Sequence, residues 1–333
     1  MIKVAMLSKW HVHASDYAKQ VNEHPELAIK LVWDENADRG RAWADELGVA
    51  FVESLDEVLS HPEIDAVVID TPTSMHREVM LKAIEAKKHI FSEKVLALTV
   101  EDCDTILKQA DEQGISFMLS LPRLSEPFYL YAQQAVDEGW LGNVTTLRCR
   151  MAHNGSVPGK GQTTGWLPAH FYDAATCGGG ALIDLGAHPI YLSNRLAGPA
   201  TSVSAQMSRL YASEVEDQAV VTLDYGNGAI GILETGFVSY GSPFSLELYG
   251  TEGALLIRDG DIKLISAGKT NGEWASVTND LPQKGRMPIE QWVDMILRGT
   301  EPDITSKDMI ELTKLNEAAY TANSAQKKVG VSL

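Results

Sequence analysis

Over the first 120 residues, short apolar runs alternate with segments whose apolar positions recur at helical spacing. Residues 2–7 (Ile-Lys-Val-Ala-Met-Leu) read as a strand, followed by a polar turn and a helix to about Glu23. A second run over 28–33 stops at Asp34, and residues 37–47 are helical in composition until Gly48 ends them, as a glycine after a helix does. Residues 49–51, a helix near 55–60 and an apolar strand over 66–69 come next, and Thr71-Pro72 stops that strand. The helix around 75–87 carries Met75, Val79, Ala83 and Ala86 on one side and leads into His89-Ile90-Phe91. Helix 100–113 aligns Val100, Cys103, Ile106, Leu107 and Ala110, and a last strand runs through 115–119. Strand and helix in strict alternation predict a doubly wound parallel sheet, because each crossover helix must cover a sheet face.

The alternation ends near Leu121-Pro122, which sets the expected boundary between a first domain, 1–121, and a second, 122–333. A helix near 125–138, an alternating strand over 145–151 and a Gly-rich loop over 155–165 follow. From 201 to 266 the apolar period is two, broken at Asn227-Gly228, Gly250-Thr251-Glu252-Gly253 and Asp259-Gly260-Asp261. These are hairpin signals, so the second domain is expected to be α/β with an open, mostly antiparallel sheet. Helices near 288–298 and 306–326 close the chain, and no internal repeat is visible.

Composition narrows the function. At 333 residues the chain is long enough for two domains, and 44% apolar with 22% charged residues is ordinary globular usage. A formal charge of −17 offers no basic stripe to displace counterions from phosphates, so nucleic acid is not an expected partner. No apolar run approaches a membrane-spanning length, and the first strand begins at Ile2, leaving no room for a signal peptide. Cys103, Cys149 and Cys177 lack metal or redox spacing; reduced thiols in a cytoplasmic protein are expected.

Two stretches carry candidate chemistry: Ser92-Glu93-Lys94 at a strand end, and Gly178-Gly179-Gly180 running to Asp184 and His188. The Asp-x-x-x-His spacing places both side chains on one face of a helical turn. With Ala66–His76, Lys88–Val95, Gly139–Val144 and Gly178–His188 in this order, the chain resembles the glucose–fructose oxidoreductase / inositol dehydrogenase (Gfo/Idh/MocA) family over nearly its whole length. The resemblance implies a Rossmann domain and a substrate domain, a nicotinamide between the two, and sugar or cyclitol substrates. Lys94, Asp184 and His188 match the family's catalytic positions; His188 is expected to act as general base, with Asp184 orienting it and Lys94 bonding the reacting oxygen. Thr71, Pro72, His76, Glu93 and Lys94 are expected at the cofactor. Arg123 resembles a family arginine facing the substrate, although a salt bridge explains it equally. The expected partner is a small polyol or sugar, and a homodimer or homotetramer is expected through the second domain's sheet. Two departures stand out. Val95 replaces a proline, and Tyr191 stands where the family often has an acid three residues after the histidine.

The larger departure lies in the phosphate loop. Ser8, Trp10 and His13 occupy the positions of the three fingerprint glycines, with His11 among them. Either the loop holds phosphate with Ser8, the histidines and the helix N-terminus, or Trp10 has taken the dinucleotide's place. Asp34, at the end of the second strand, favours the former: it suits a ribose 2′-hydroxyl and repels a 2′-phosphate, so NAD is expected rather than NADP. Arg39 and Arg41 nearby pull the other way.

Three alternatives stay open. A non-catalytic sugar or nucleotide sensor and an NAD-assisted glycosidase would share this fold. His11-x-His13 after a first strand also resembles the metal pair of a (β/α)₈ hydrolase, with His170, His188 and Asp184 completing the site. The hairpin-rich second half does not supply eight βα units, and no metal is expected. In the loop before the triple glycine, His153, Asn154, Trp166, His170 and Tyr172 are the aromatic and polar side chains suited to a polyhydroxylated ligand.

Overall fold

The computed structural model describes residues 1–212 and 214–331; the last two residues of the expected second domain lie outside them. The chain divides into two compact units, 1–120 with 286–310, and 121–285 with 311 onward.

In the first unit, β1 (Ile2–Leu7), β2 (Leu27–Trp33), β3 (Ala50–Phe51), β4 (Ala66–Ile69), β5 (His89–Ser92) and β6 (Phe117–Leu119) form a parallel sheet in the order β3-β2-β1-β4-β5-β6. Helices α1 (Ala14–Glu23), α2 (Ala37–Leu47), α3 (Leu55–Ser60), α4 (His76–Glu85) and α5 (Val100–Glu112) connect them. All four residues of β4 are buried, as a central parallel strand covered on both faces requires. Asn36 caps α2 by accepting from the Arg39 amide, and Gly48 ends it at φ 68°, as the punctuation in the sequence predicts. Strand order reverses between β1 and β4. Loops leaving the carboxyl ends of those two strands form the crevice where a doubly wound sheet binds its ligand.

The second unit contains α6 (Pro127–Asp137), β7 (Val144–Ala152), α7 (Ala174–Cys177), α8 (Ala187–Ala197), β8 (Ala200–Ser208), β9 (Gln218–Tyr225), β10 (Ile230–Gly236), β11 (Ser245–Gly250), β12 (Gly253–Arg258), β13 (Asp261–Ser266), β14 (Ala275–Ser276) and, near the end of the chain, β15 (Val329–Gly330). The sheet order is β14-β13-β12-β11-β7-β10-β9-β8-β15. β7 and β10 pair in parallel, and the other described pairs are antiparallel. Helix α8 packs on β7 and β10. Val220, Ile230 and Tyr249 are exposed, and the strand registers put them together on one sheet face.

The last helices are α9 (Pro288–Arg298) and α10 (Ser306–Ala325). α9 belongs to the first unit, where Trp292 is fully buried, donates Nε1–H to Ser116 O at 3.2 Å and lies 5.7 Å from the Phe91 ring. Two open sheets exclude the eight-stranded barrel of the metal-hydrolase alternative. Among the described residues no helix is long and apolar enough to cross a membrane.

Candidate active site

The first unit gathers its titratable groups at the carboxyl ends of β1, β4 and β5. Glu93, directly after β5, is 3% exposed and donates its amide to Ile69 O. Its carboxylate accepts the Tyr17 hydroxyl, sits 3.6 Å from Lys94 Nζ and lies 3.9 Å from His11 Nδ1. Burial pushes the Glu93 carboxyl up, yet the charges of His11, Lys94 and His13 with the Tyr17 hydrogen bond outweigh it and hold it below the usual range. Tyr17 also meets Ser120 Oγ at 2.8 Å; burial and the neighbouring carboxyls Glu93 and Asp70 raise its phenol well above the ordinary value. No motif marks Tyr17 or Ser120, because the fold, not spacing, brings them to Glu93. The peptide bond between Lys94 and Val95 is cis.

The turn after β4 leaves several polar atoms buried. Asp70 is fully buried, and neither carboxyl oxygen has a partner among the described residues. Desolvation, then the charge of Glu93, pushes its carboxyl well above the carboxylate range. The Thr71 hydroxyl is likewise unpartnered. Burial lowers the His76 imidazole, which is therefore neutral; its Nδ1–H donates to Val95 O at 2.8 Å, and Nε2 has no partner. Pro72 separates Thr71 from the turn that starts α4. Buried polar groups of this kind require a hydrogen-bonding partner, which a dinucleotide lying across the strand ends supplies. On this test the β4 end fits the cofactor.

The phosphate loop keeps a tight turn without glycine. Ser8 is buried at φ 77°, in the left-handed region that favours glycine, and its Oγ accepts the Trp10 amide at 3.1 Å. Trp10 and His11 are each 6% exposed, and the His11 amide donates to Asp70 O. His13 is exposed and pairs with Asp16 at 3.0 Å. Among the described residues no group of three or more His, Cys, Asp or Glu side chains is arranged to hold a metal.

Asp34 is built into an internal network. Its side chain is fully buried and accepts four N–H groups: the Lys9 amide (2.8 Å), the Asn36 amide (2.7 Å), and Arg39 Nε (2.8 Å) and Nη2 (2.7 Å). Arg39 also touches Glu35 and Ser8 Oγ. A carboxylate has about four acceptor positions, so in this arrangement Arg39 stands where a ribose hydroxyl would bond.

In the second unit, a carboxylate shapes the glycine-rich segment. Glu216 accepts the amides of Gly180 (3.1 Å) and Leu182 (2.9 Å) and the Tyr320 hydroxyl (2.8 Å), and its backbone carbonyl accepts the Ala181 amide. A Cβ at Gly180 would stand 1.9 Å from Glu216 O, which explains a glycine there. Burial raises the Glu216 carboxyl, partly offset by those hydrogen bonds, and raises the Tyr320 phenol further. Glu216 and Tyr320 are residues the sequence reading missed; the acidic pair Glu216-Asp217 opening a period-two strand was the available signal.

Asp184 lies in the turn before α8, with its amide on Gly180 O, while His188 sits in the first turn of the helix. Gly186 caps α8 and Pro189 fits only a first turn, so the helix starts between them, after Asp184 and before His188. His188 is 9% exposed, and its Nδ1 is 2.8 Å from the hydroxyl of Tyr191, which accepts the Arg123 amide at 3.3 Å. The Arg123 guanidinium lies over the Phe244 ring, 4.9 Å from its centroid.

The loop before this segment is anchored beneath it. Leu167 and Phe171 pack with Ala181, Leu185 and Phe237 in one apolar cluster, against which Tyr172 rests. His153 stacks on Phe237 at 5.0 Å, accepts the Gly155 amide through Nδ1, and lies 4.8 Å from the exposed Trp166 ring. Burial lowers the His153 imidazole and the charge of Asp184 opposes this, so the two side chains share a field. Trp166 Nε1 donates to Asn154 Oδ1 at 3.4 Å, Tyr172 meets Ser156 Oγ at 2.8 Å, and the carbonyl of His170 accepts the Cys177 thiol.

Strand order, the switch point and the buried Glu93–Lys94 pair define a doubly wound domain of the dinucleotide-binding class. Comparison agrees: residues 10–120 match the oxidoreductase family domain described as an NAD-binding Rossmann fold, and residues 129–256 match the GFO/IDH/MocA C-terminal domain. The chain belongs to the GFO/IDH/MocA oxidoreductase family. It is 28% identical over 313 residues to scyllo-inositol 2-dehydrogenase (NAD(+)) of Bacillus subtilis (strain 168), covering 90% of this chain and 86% of that protein. The crystal structure of GenD2 from gentamicin A biosynthesis in complex with NAD superposes with a TM-score of 0.83 at 25% identity, covering 100% and 97% of the two chains. Levoglucosan dehydrogenase, in complex with NADH and L-sorbose, shares the fold with a TM-score of 0.86 at 19% identity, covering 100% and 99%.

Proposed function

We propose that this protein is an NAD-dependent dehydrogenase that interconverts a secondary hydroxyl of a sugar or cyclitol and the corresponding ketone. The observation that carries the proposal is the buried Glu93–Lys94 pair at the strand ends of a dinucleotide-type sheet, 3.6 Å apart. Cofactor binding is assigned to the first domain (1–121), which residues 286–310 join, and substrate recognition and assembly to the rest of the second (122–333). Ser8, Trp10, His11, His13 and the α1 N-terminus would face the pyrophosphate, and Asp70, Thr71, Pro72, His76, Glu93 and Lys94 the remainder of the dinucleotide. When bound, the nicotinamide accepts or returns the hydride.

Each residue has a role its surroundings support. His188 takes the hydroxyl proton, because an imidazole exchanges protons near neutral pH and its Nδ1 already has a partner. Lys94, kept beside a buried carboxylate, donates to the reacting oxygen as negative charge develops there. Asp184 sets the field around His153 and the reacting hydroxyl. Trp166, His153 and Asn154 offer a stacking face with polar edges for a polyol, and Arg123, His170 and Tyr172 complete the candidate set. Relatives named for inositol and anhydrofructose chemistry support the substrate class. A homodimer or homotetramer is supported by the open sheet face bearing Val220, Ile230 and Tyr249, and a cytoplasmic setting by three buried cysteines in the thiol form.

Thermal shift with NAD, followed by NADH formation across a panel of polyols, tests the reading. Lys94→Ala and His188→Ala should each abolish turnover and leave the far-UV spectrum in place; the NAD-induced shift in melting temperature should persist in His188→Ala and shrink in Lys94→Ala. Turnover that survives either substitution removes that residue from the mechanism. Stable NAD binding without NADH formation on any polyol would favour the sensor or the NAD-assisted glycosidase.

A further inference from the structure

His188 is held by a phenol where a carboxylate is the usual partner of a catalytic imidazole. Tyr191 follows it by three residues, one helical turn on, so the two side chains stack along α8 with ring centroids 5.5 Å apart and planes at 73°. Tyr191 is 1% exposed, and its hydroxyl is fixed from a second direction by the Arg123 amide at 3.3 Å. A phenol oxygen both donates and accepts; it accepts the Arg123 N–H, and the Nδ1 of His188 lies 2.8 Å from it. Pro189 and the buried helix start hold the backbone on either side, so neither ring can turn away without breaking this contact.

We propose that Tyr191 is a positioning residue that accepts the Nδ1–H of His188 and thereby keeps the Nε2 lone pair as the proton-accepting nitrogen. This rests on the general-base role given to His188 above. The physical content is a choice of tautomer. A neutral imidazole carries one proton, and an acceptor at Nδ1 draws it there, as a carboxylate does for other catalytic histidines. Tyr191 differs from a carboxylate in having no formal charge, so it orients the ring without forming an ion pair with the imidazolium.

The test is nitrogen NMR on the intact protein labelled with ¹⁵N-histidine, with His188 assigned among nine histidines by its loss in His188→Ala. The expected wild-type signature near pH 8 is a single tautomer protonated at Nδ1. In Tyr191→Phe, which keeps the ring and its packing, the two nitrogen shifts should move toward the averaged values of a free imidazole. With the polyol turned over fastest in the panel, kcat should fall about 10–100-fold while KM stays within about threefold. A proton on Nε2 in the wild type, or Tyr191→Phe shifts that match the wild type, overturns the proposal. The wild-type spectrum decides it even if the variant folds poorly. If His188→Ala retains turnover while Tyr191→Phe still releases the tautomer, the general-base reading fails and the positioning contact stands. If the tautomer is unchanged and His188→Ala is inactive, the reverse holds.

Discussion

Arg39→Ala probes the most unexpected feature of the first unit, the saturation of Asp34. Two of the four N–H groups on that carboxylate come from Arg39, and the other two are the Lys9 and Asn36 amides, which the substitution leaves in place. Removing the guanidinium therefore frees two acceptor positions on a carboxylate at the end of β2, the position suited to a ribose 2′-hydroxyl. One hydrogen bond to a charged group contributes about 1.5–3 kcal/mol, of which ordering the ribose consumes a part. NAD should bind about tenfold more tightly, since 1.4 kcal/mol is a factor of ten. NADP should not gain, because its 2′-phosphate would meet an uncompensated carboxylate, with repulsion of about 1 kcal/mol at 4 Å in water and more near a protein surface. The ratio of the two affinities should thus move toward NAD by at least about tenfold. Isothermal titration with each dinucleotide on wild type, Arg39→Ala and Arg39→Lys measures it, and melting curves control for the loss of the Asp34 pair. Equal changes for both dinucleotides, or none, would refute the idea that Asp34 addresses the ribose and Arg39 covers it.

Other expectations follow from single groups. Burial holds the folded Asp70 carboxyl well above the carboxylate range, whereas the unfolded chain releases its proton above about pH 4, so stability is lost progressively as pH rises from there toward the folded value. Asp70→Asn should leave stability at pH 4 nearly unchanged and raise it by about 1–3 kcal/mol at pH 8; urea titrations showing no pH-dependent gain would contradict this. Glu216→Ala strands the Gly180 and Leu182 amides and the Tyr320 hydroxyl, and should cost about 3 kcal/mol, whereas Glu216→Gln should cost clearly less. Gly180→Ala forces a methyl against Glu216 O and should lower the melting temperature more than Gly198→Ala, whose added Cβ meets nothing within 4 Å and costs only a positive-φ backbone. Comparable melting temperatures for the two glycine variants would show that the segment yields more easily than its contacts imply.

Legibility in the sequence followed the range of the interaction. The strands and helices of the first 120 residues, the hairpins from 201 to 266 and the end of α2 at Gly48 depend on period and turn chemistry within a few residues, and they were readable. Lys94, Asp184 and His188 could be singled out as candidates because the segments bearing them are contiguous. Gly186 and Pro189 set the start of α8 after Asp184, a local effect of a glycine cap and a proline confined to the first turn. Asp34 shows where that legibility ends. Its position was evident, but a strand-end aspartate facing a ligand and one clamped by an arginine five residues on look alike until side-chain rotamers are known.

Chain order and residue chemistry were enough to specify an α/β protein with a parallel first sheet, an antiparallel-rich second sheet and two segments fit for proton transfer. They could not specify which distant groups meet. Tyr17 reaches Glu93 across 76 residues, and Tyr320 reaches Gly180 across 140. Residues 286–310 join the first unit although they follow the second in sequence. Partners of this kind are selected by burial: a polar group leaving water must find whatever donor or acceptor the packed fold brings within hydrogen-bonding distance, and no periodicity along the chain encodes that encounter.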